Sequence, residues 1–123
     1  MRAYTVATTA VTLRVPPKWL DNVLSQNEIG GVIKRRQGIA RRLTPQAVVT
    51  LDLALRLTRA FHMAIPVALS LARQLREKND VDAGEGFRIS IDLQSLEAEV
   101  MERLADAVEI TPSPRRGRPR RKV

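Results

Sequence analysis

The segment from Thr44 to Phe61 constrains the fold more than any other, because it would be apolar on most sides as a helix. Thr44 is a predicted N-cap, and Pro45 suits the first helical position. Only Asp52, Arg56 and Arg59 mark a polar strip, and Asp52 and Arg56 form a favourable i,i+4 pair. Such a helix is either the central core helix or meets a partner. Its apolar stripes are Val48, Leu51, Leu55 and Thr58, and Val49, Leu53, Leu57 and Ala60.

Two short helices precede this segment. The apolar spacing between Tyr4 and Leu13 predicts a helix that Thr5 caps and Pro16 ends, and Pro17 begins a second helix that continues to Gln26. Two helices joined by a turn of a few residues form a helix-turn-helix. The second helix has an inner face of Leu20, Val23 and Leu24 and an outer face of Lys18, Asp21, Asn22 and Ser25.

A basic hairpin follows the two helices. Residues 32–36 and 39–43 are predicted strands, joined by a turn at Gln37-Gly38. The hairpin is either a DNA-binding wing or an edge hairpin whose charges prevent aggregation. It carries five cations: Lys34, Arg35, Arg36, Arg41 and Arg42.

After Phe61 the pattern predicts a helix from Pro66 to Lys78, with Ala68, Leu71, Ala72 and Leu75 facing inward. Residues 78–86 are predicted to be an acidic linker with two glycines. The alternating segment Phe87 to Asp92 predicts a strand, and Asp92 caps a helix to about Val108 that buries Leu96, Val100, Leu104 and Ala107. The strand needs a partner, which could be the wing, the N-terminal residues or a second subunit. Residues 87–110 are therefore a candidate homodimerisation module.

Composition limits the chemistry of the chain. The 123 residues include no Cys and one His, which argues against disulfides, zinc and thiol catalysis. His62 is predicted to be a packed or helix-capping residue, Trp19 either a core residue or a ring against DNA, and the acids of the last helix a solvated face. No catalytic site, metal site, cofactor, secretory signal or membrane span is predicted, and the expected location is the cytoplasm, at the nucleoid.

Charge is unevenly distributed along the chain. The net charge of +8 divides into +6 for residues 1–43, −4 for 44–110 and +6 for 111–123. Two basic ends suit contact with a polyanion such as nucleic acid. Residues 111–123 hold almost nothing apolar and are predicted to be disordered in the free protein.

Three segments together resemble the DNA-binding domain of the MerR-type regulators: Tyr4-Thr5-Val6, Leu13 to Leu20, and Gly38 to Val48. The resemblance covers residues 4–76 and implies a winged helix-turn-helix domain at 1–77, with residues 17–26 in the major groove and the wing on phosphates. This chain has Arg14 where the family favours glycine and Asp21 where it favours a basic residue. The fold class predicted for the whole chain is mostly α with small β, with a strand–helix module after the winged domain.

The C-terminal tail looks like an AT-hook. A glycine between two arginines lets the backbone lie on the floor of a narrow A·T-rich minor groove, while the arginines extend along it. The alternative is a loose polyanion-binding tail. The hook residues are Arg115, Arg116, Gly117, Arg118, Pro119 and Arg120.

These features predict a protein that binds double-stranded DNA as a bacterial transcription regulator or a DNA-architectural protein. The base-reading candidates are Lys18, Asn22 and Ser25. A second interpretation is an autoregulatory antitoxin whose acidic 80–110 segment holds a basic protein partner. A third is an RNA-associated basic protein.

Overall fold

Helices and short strands make up the described part of the chain. The computed structural model describes residues 2–33 and 40–110, which are mostly helical with small antiparallel sheets. The elements in chain order are β1 (Tyr4–Thr5), α1 (Val6–Leu13), α2 (Pro17–Gln26), β2 (Val32–Ile33), β3 (Arg42–Leu43), α3 (Pro45–Phe61), α4 (Ile65–Lys78), β4 (Asp80–Gly84), β5 (Phe87–Ser90) and α5 (Leu93–Ile110).

The first two helices begin and end where the sequence predicts. Thr5 Oγ1 accepts a hydrogen bond from the Thr8 N–H at 3.0 Å and caps α1. At the other end Arg14 adopts a left-handed φ of 60° and donates its N–H to the Val11 carbonyl at 3.2 Å. This is the conformation that glycine adopts at least cost, so an arginine carries backbone strain at this turn. Pro17 then occupies the first turn of α2.

A three-stranded sheet joins the N-terminus to the segment before α3. Its order is β1-β3-β2, and both pairings are antiparallel. Leu43 lies opposite both Tyr4 and Val32, and its side chain is buried. The base of the predicted hairpin is thus confirmed, since Val32–Ile33 pairs with Arg42–Leu43. Ala40 and Arg41 were predicted to belong to the second strand but precede it, and residues 34–39, with the predicted turn at Gln37-Gly38, lie outside the described residues.

Gly31 is the position where this sheet meets the cap of α3. Its carbonyl accepts a hydrogen bond from the Thr44 N–H at 2.9 Å, and its φ is +91°. Thr44 Oγ1 in turn accepts from the Ala47 N–H at 3.4 Å and caps α3. A Cβ on Gly31 would overlap Thr44 Oγ1, so both the backbone and the close approach require glycine.

We expect Gly31→Ala to lower the free energy of unfolding by about 2–3 kcal/mol, from left-handed strain and a disturbed N-cap. The matched control is Gly30→Ala, where a Cβ meets no atom within 4 Å. The control should change stability by no more than about 0.5 kcal/mol in denaturant unfolding. Equal losses in the two variants would contradict this assignment of Gly31.

The helix α3 is the central core helix. All of its predicted stripe residues except Thr58 and Ala60 are buried, and it packs against α4 and α5. His62 ends it as a capping residue with a φ of 57°, and its N–H donates to the Thr58 carbonyl at 2.8 Å. The capping prediction for His62 is confirmed, and its side chain is exposed rather than packed.

Charged side chains join α3 to α5 at the edge of this core. The Asp52 side chain is only 3% exposed, and its Oδ2 accepts from Arg56 Nε at 2.7 Å, as the i,i+4 spacing predicts. From α5, Arg103 Nη1 lies 3.5 Å from Asp52 Oδ1. Glu99 Oε2 lies 2.8 Å from Arg103 Nη2 and 3.3 Å from Arg56 Nη2. We call these four residues the Asp52 network.

The network also shifts the pKa of Arg56. Burial lowers the pKa of this guanidinium, but hydrogen bonds and charge from Asp52 and Glu99 outweigh burial and raise the pKa above its ordinary value. Arg56 therefore stays charged and balances the carboxylate of Asp52.

The prediction of an acidic linker at residues 78–86 is wrong. Residues 80–84 form β4, which pairs antiparallel with β5 in a separate two-stranded sheet. The turn has Glu85 at φ 56° and Gly86 at φ 82°, the two positive values of a tight two-residue hairpin turn. The predicted strand from Phe87 thus finds its partner within its own chain, so the strand without a partner that motivated a homodimer is not there. Dimerisation stays a prediction without that motive.

The last helix belongs to the same core as α3 and α4. Its four predicted inner residues, Leu96, Val100, Leu104 and Ala107, are buried, and the helix packs mainly on α1. Asp92 Oδ1 accepts from the Ser95 N–H at 3.1 Å, which confirms the predicted cap. In α4 the inward prediction holds for three residues, but Leu71 is half-buried and Leu69 is buried in its place.

Candidate nucleic-acid interface

The helix α2 has one buried and one open face. Leu20, Val23 and Leu24 are buried in the core, as predicted. The opposite face presents Lys18, Asn22 and Ser25, which are all exposed. The Ser25 hydroxyl donates to the Asn22 carbonyl at 3.0 Å, and no hydrogen bond within the described residues involves the side chains of Lys18 and Asn22. The three base-reading candidates are therefore brought together and open to a ligand.

An ion pair ties this helix to the strands. Arg41, which immediately precedes β3, places Nη1 2.6 Å from Asp21 Oδ1. Arg41 and Ser25 also line one surface depression between α2 and β2. Arg41 was predicted to contact a phosphate, and its guanidinium is thus paired with a carboxylate in the free protein. The sequence pattern predicts Asp21 on the outer face of α2 but gives no sign of its partner, which is 20 residues away.

The other residues that the sequence predicts to contact DNA fall into two groups. Arg42 lies in β3, opposite Thr5 on one side and Ile33 on the other, and is half-buried. The remaining wing and tail candidates lie outside the described residues: Lys34, Arg35, Arg36, Arg115, Arg116, Gly117, Arg118, Pro119 and Arg120.

On the side of α2 away from Asp21, the open face borders α4. Trp19 and Asn22 line a depression together with Ile65 and Pro66. Trp19 is half-buried and packs against the core, as the first of its two predicted roles requires. The open face of α2 is therefore flanked by the strands on one side and by the start of α4 on the other.

Within residues 2–33 and 40–110, no group of three or more His, Cys, Asp or Glu residues could hold a metal ion. Over the same ranges, no helix combines the length and the apolar character needed to cross a membrane.

Comparisons of the chain with models of known protein families, with curated proteins and with solved structures found no match.

Proposed function

We propose that this chain is a sequence-specific DNA-binding protein of the winged helix-turn-helix type, acting as a transcription regulator or a DNA-architectural protein. The observation that carries the proposal is the open face of α2, where Lys18, Asn22 and Ser25 are exposed together above a buried apolar face. An exposed polar helix face anchored by its opposite side suits insertion into the major groove of B-DNA.

The residue types on this face suit reading of bases. An asparagine amide can pair bidentately with adenine N6 and N7, and a lysine ammonium can donate to guanine O6 or N7. Serine donates to or accepts from either kind of base edge. The side chains of Lys18 and Asn22 are unengaged by the described residues, so they can form such bonds without first breaking others.

The neighbouring elements support a wing. In the sheet β1-β3-β2, Arg41 immediately precedes β3, and its ion pair with Asp21 joins this sheet to α2. Residues 34–36 continue the chain directly from β2 with three cations. Phosphate contacts from such cations supply affinity that does not depend on sequence. In this proposal the basic tail adds a minor-groove contact next to the same site.

Asn22→Ala tests the proposal. On the preferred duplex we expect a loss of about 1–3 kcal/mol in binding free energy, because a base-edge contact disappears, and little change on a random duplex. Titration of both duplexes at one salt concentration measures the difference. Gln94→Ala is the matched control, since it removes an exposed amide from α5 and should leave both affinities unchanged. Equal losses on the two duplexes for Asn22→Ala would remove α2 from base reading.

A second candidate function is that of an antitoxin that binds a basic protein. The favouring observation is an acidic surface with exposed apolar residues: α5 carries exposed Glu102 and Asp106 beside Met101, which is 40% exposed. Charge complementarity to a basic partner would direct binding there. In that case Glu102→Gln with Asp106→Asn would weaken partner binding and leave DNA affinity unchanged.

A further inference from the structure

The Asp21–Arg41 ion pair lies at the border of the proposed DNA-reading face. Asp21 precedes Asn22 on α2 and lies three residues from Lys18 and four from Ser25, so it shares their side of the helix. Arg41 Nη1 lies 2.6 Å from Oδ1 of Asp21, and the described residues give the second carboxylate oxygen no hydrogen bond.

An aspartate–arginine pair beside DNA can work in two directions. The aspartate can orient the arginine toward a base or phosphate, or the arginine can orient the aspartate. Exposure distinguishes the two, because the group that contacts DNA must be the accessible one. The Asp21 side chain is 55% exposed and the Arg41 side chain 19%, so the arginine is the supporting member of the pair.

We propose that Asp21 is a specificity-determining residue that accepts a hydrogen bond from the N4 amino group of a cytosine, with Arg41 as its positioning residue. The inference rests on the proposed DNA-binding function and extends it to one base pair of the preferred site. This chain has an acidic residue here where the resembling family favours a basic residue, so the contact with cytosine would be specific to this chain.

The chemistry of the groove selects the base. A carboxylate only accepts hydrogen bonds, and the major-groove donors are cytosine N4 and adenine N6. Adenine presents the N7 acceptor beside its donor, which would repel a carboxylate, and guanine O6 and N7 and thymine O4 are acceptors as well. Cytosine is therefore the base that Asp21 fits best, and other bases at this position would face an unfavourable carboxylate.

Arg41 adds two effects to this contact. Its charge offsets that of Asp21, which lowers the cost of bringing a carboxylate near phosphates. Its hydrogen bond also holds the Asp21 side chain in one orientation before DNA binds, and such preorganisation reduces the entropy lost on binding.

The experiment compares base preferences of the full chain and its variants on duplexes selected from a random pool. The wild-type protein should require one C·G pair, and a change of that pair to T·A should weaken binding about tenfold. Asp21→Asn should reduce this discrimination to about twofold or less while preferences at the other positions remain. Arg41→Gln should reduce the same discrimination in part, whereas the control Arg42→Gln should weaken all duplexes alike.

Each outcome decides between the claims. A wild-type motif that contains no required C·G pair overturns the inference without any variant. Unchanged preference at every position for Asp21→Asn also overturns it, and the proposed DNA-binding function then stands because the wild-type motif persists. If Arg41→Gln lowers the affinity for all duplexes equally, Arg41 is a phosphate contact rather than a positioning residue, and its part of the proposal is overturned. A wild-type protein with no motif would end both proposals together.

Discussion

Replacing Arg56 with methionine is expected to lower the free energy of unfolding by about 3 kcal/mol, a larger loss than that expected for Gly31→Ala. The cause is the partner left behind: Asp52 is 3% exposed, and without Arg56 its nearest cation is Arg103 at 3.5 Å. A buried carboxylate that loses its close partner keeps its full desolvation cost. Denaturant unfolding of the two proteins measures the loss.

A double variant separates charge from packing. Asp52→Leu combined with Arg56→Met removes both the buried charge and its partner, while Glu99 and Arg103 keep their own contact at 2.8 Å. Apolar replacement of a buried ion pair is often neutral, so the double variant should lie within about 1 kcal/mol of wild type. A double variant less stable than Arg56→Met would show that packing around α3, rather than compensation of Asp52, accounts for the loss.

Deletion of residues 111–123 is expected to have the largest effect on DNA binding. This tail, which lies outside the described residues, carries six of the 21 Lys and Arg side chains. At roughly 0.9 per phosphate contact, and with two arginines in the minor groove, its loss should flatten the plot of log affinity against log salt by about 3–4 units. In this proposal Pro112 and Pro114 favour an extended spacer of about 3 Å per residue, so we expect the tail to contact only DNA that flanks the main site.

A charge-neutral variant distinguishes an AT-hook from a polycation. Gly117→Ala keeps every charge but adds a methyl group that would lift the backbone from the groove floor. We expect the preference for A·T-rich flanks to disappear while the salt dependence remains. If this variant binds A·T-rich and G·C-rich flanks as the parent does, the tail acts only through its charge.

Local signals predicted the helices well. Thr5, Thr44 and Asp92 cap helices as expected, and Pro17 and Pro45 lie at first helical turns. These positions are predictable because a cap or a proline acts on backbone groups within a few residues of itself. The inner face of α5 was predictable for a similar reason, since helical periodicity identifies an apolar stripe without knowledge of what covers it.

The hairpin β4–β5 was missed because its first strand lacks strand-like composition. Asp80, Asp82 and Gly84 belong to residue types that strands disfavour, so the composition of this segment indicates a linker. A signal was nevertheless available. Glu85-Gly86 immediately precedes an alternating strand, and a short turn with a glycine at that point is a hairpin signal that predicts a partner strand upstream.

Long-range pairings were beyond the reach of the sequence pattern. The i,i+4 spacing identified Asp52 and Arg56 as a pair, but an aspartate within a helix gives no sign that a second arginine 51 residues away will help to bury it. The Asp21–Arg41 contact likewise depends on the return of the chain through β3 to α2. Such contacts follow from tertiary packing, which fixes the partner that local periodicity leaves open.

The most direct test of the DNA-binding proposal is selection of bound molecules by the full chain from a pool of random DNA duplexes, with RNA as a competitor. The proposal predicts one enriched motif, short enough for a single helix in the major groove, with A·T-rich sequence on a flank. Replacement of Lys18, Asn22 and Ser25 together by alanine should abolish the motif while salt-sensitive binding to random duplexes persists. Recovery of no motif, or displacement of the duplexes by RNA at lower concentration than by DNA, would contradict the proposal.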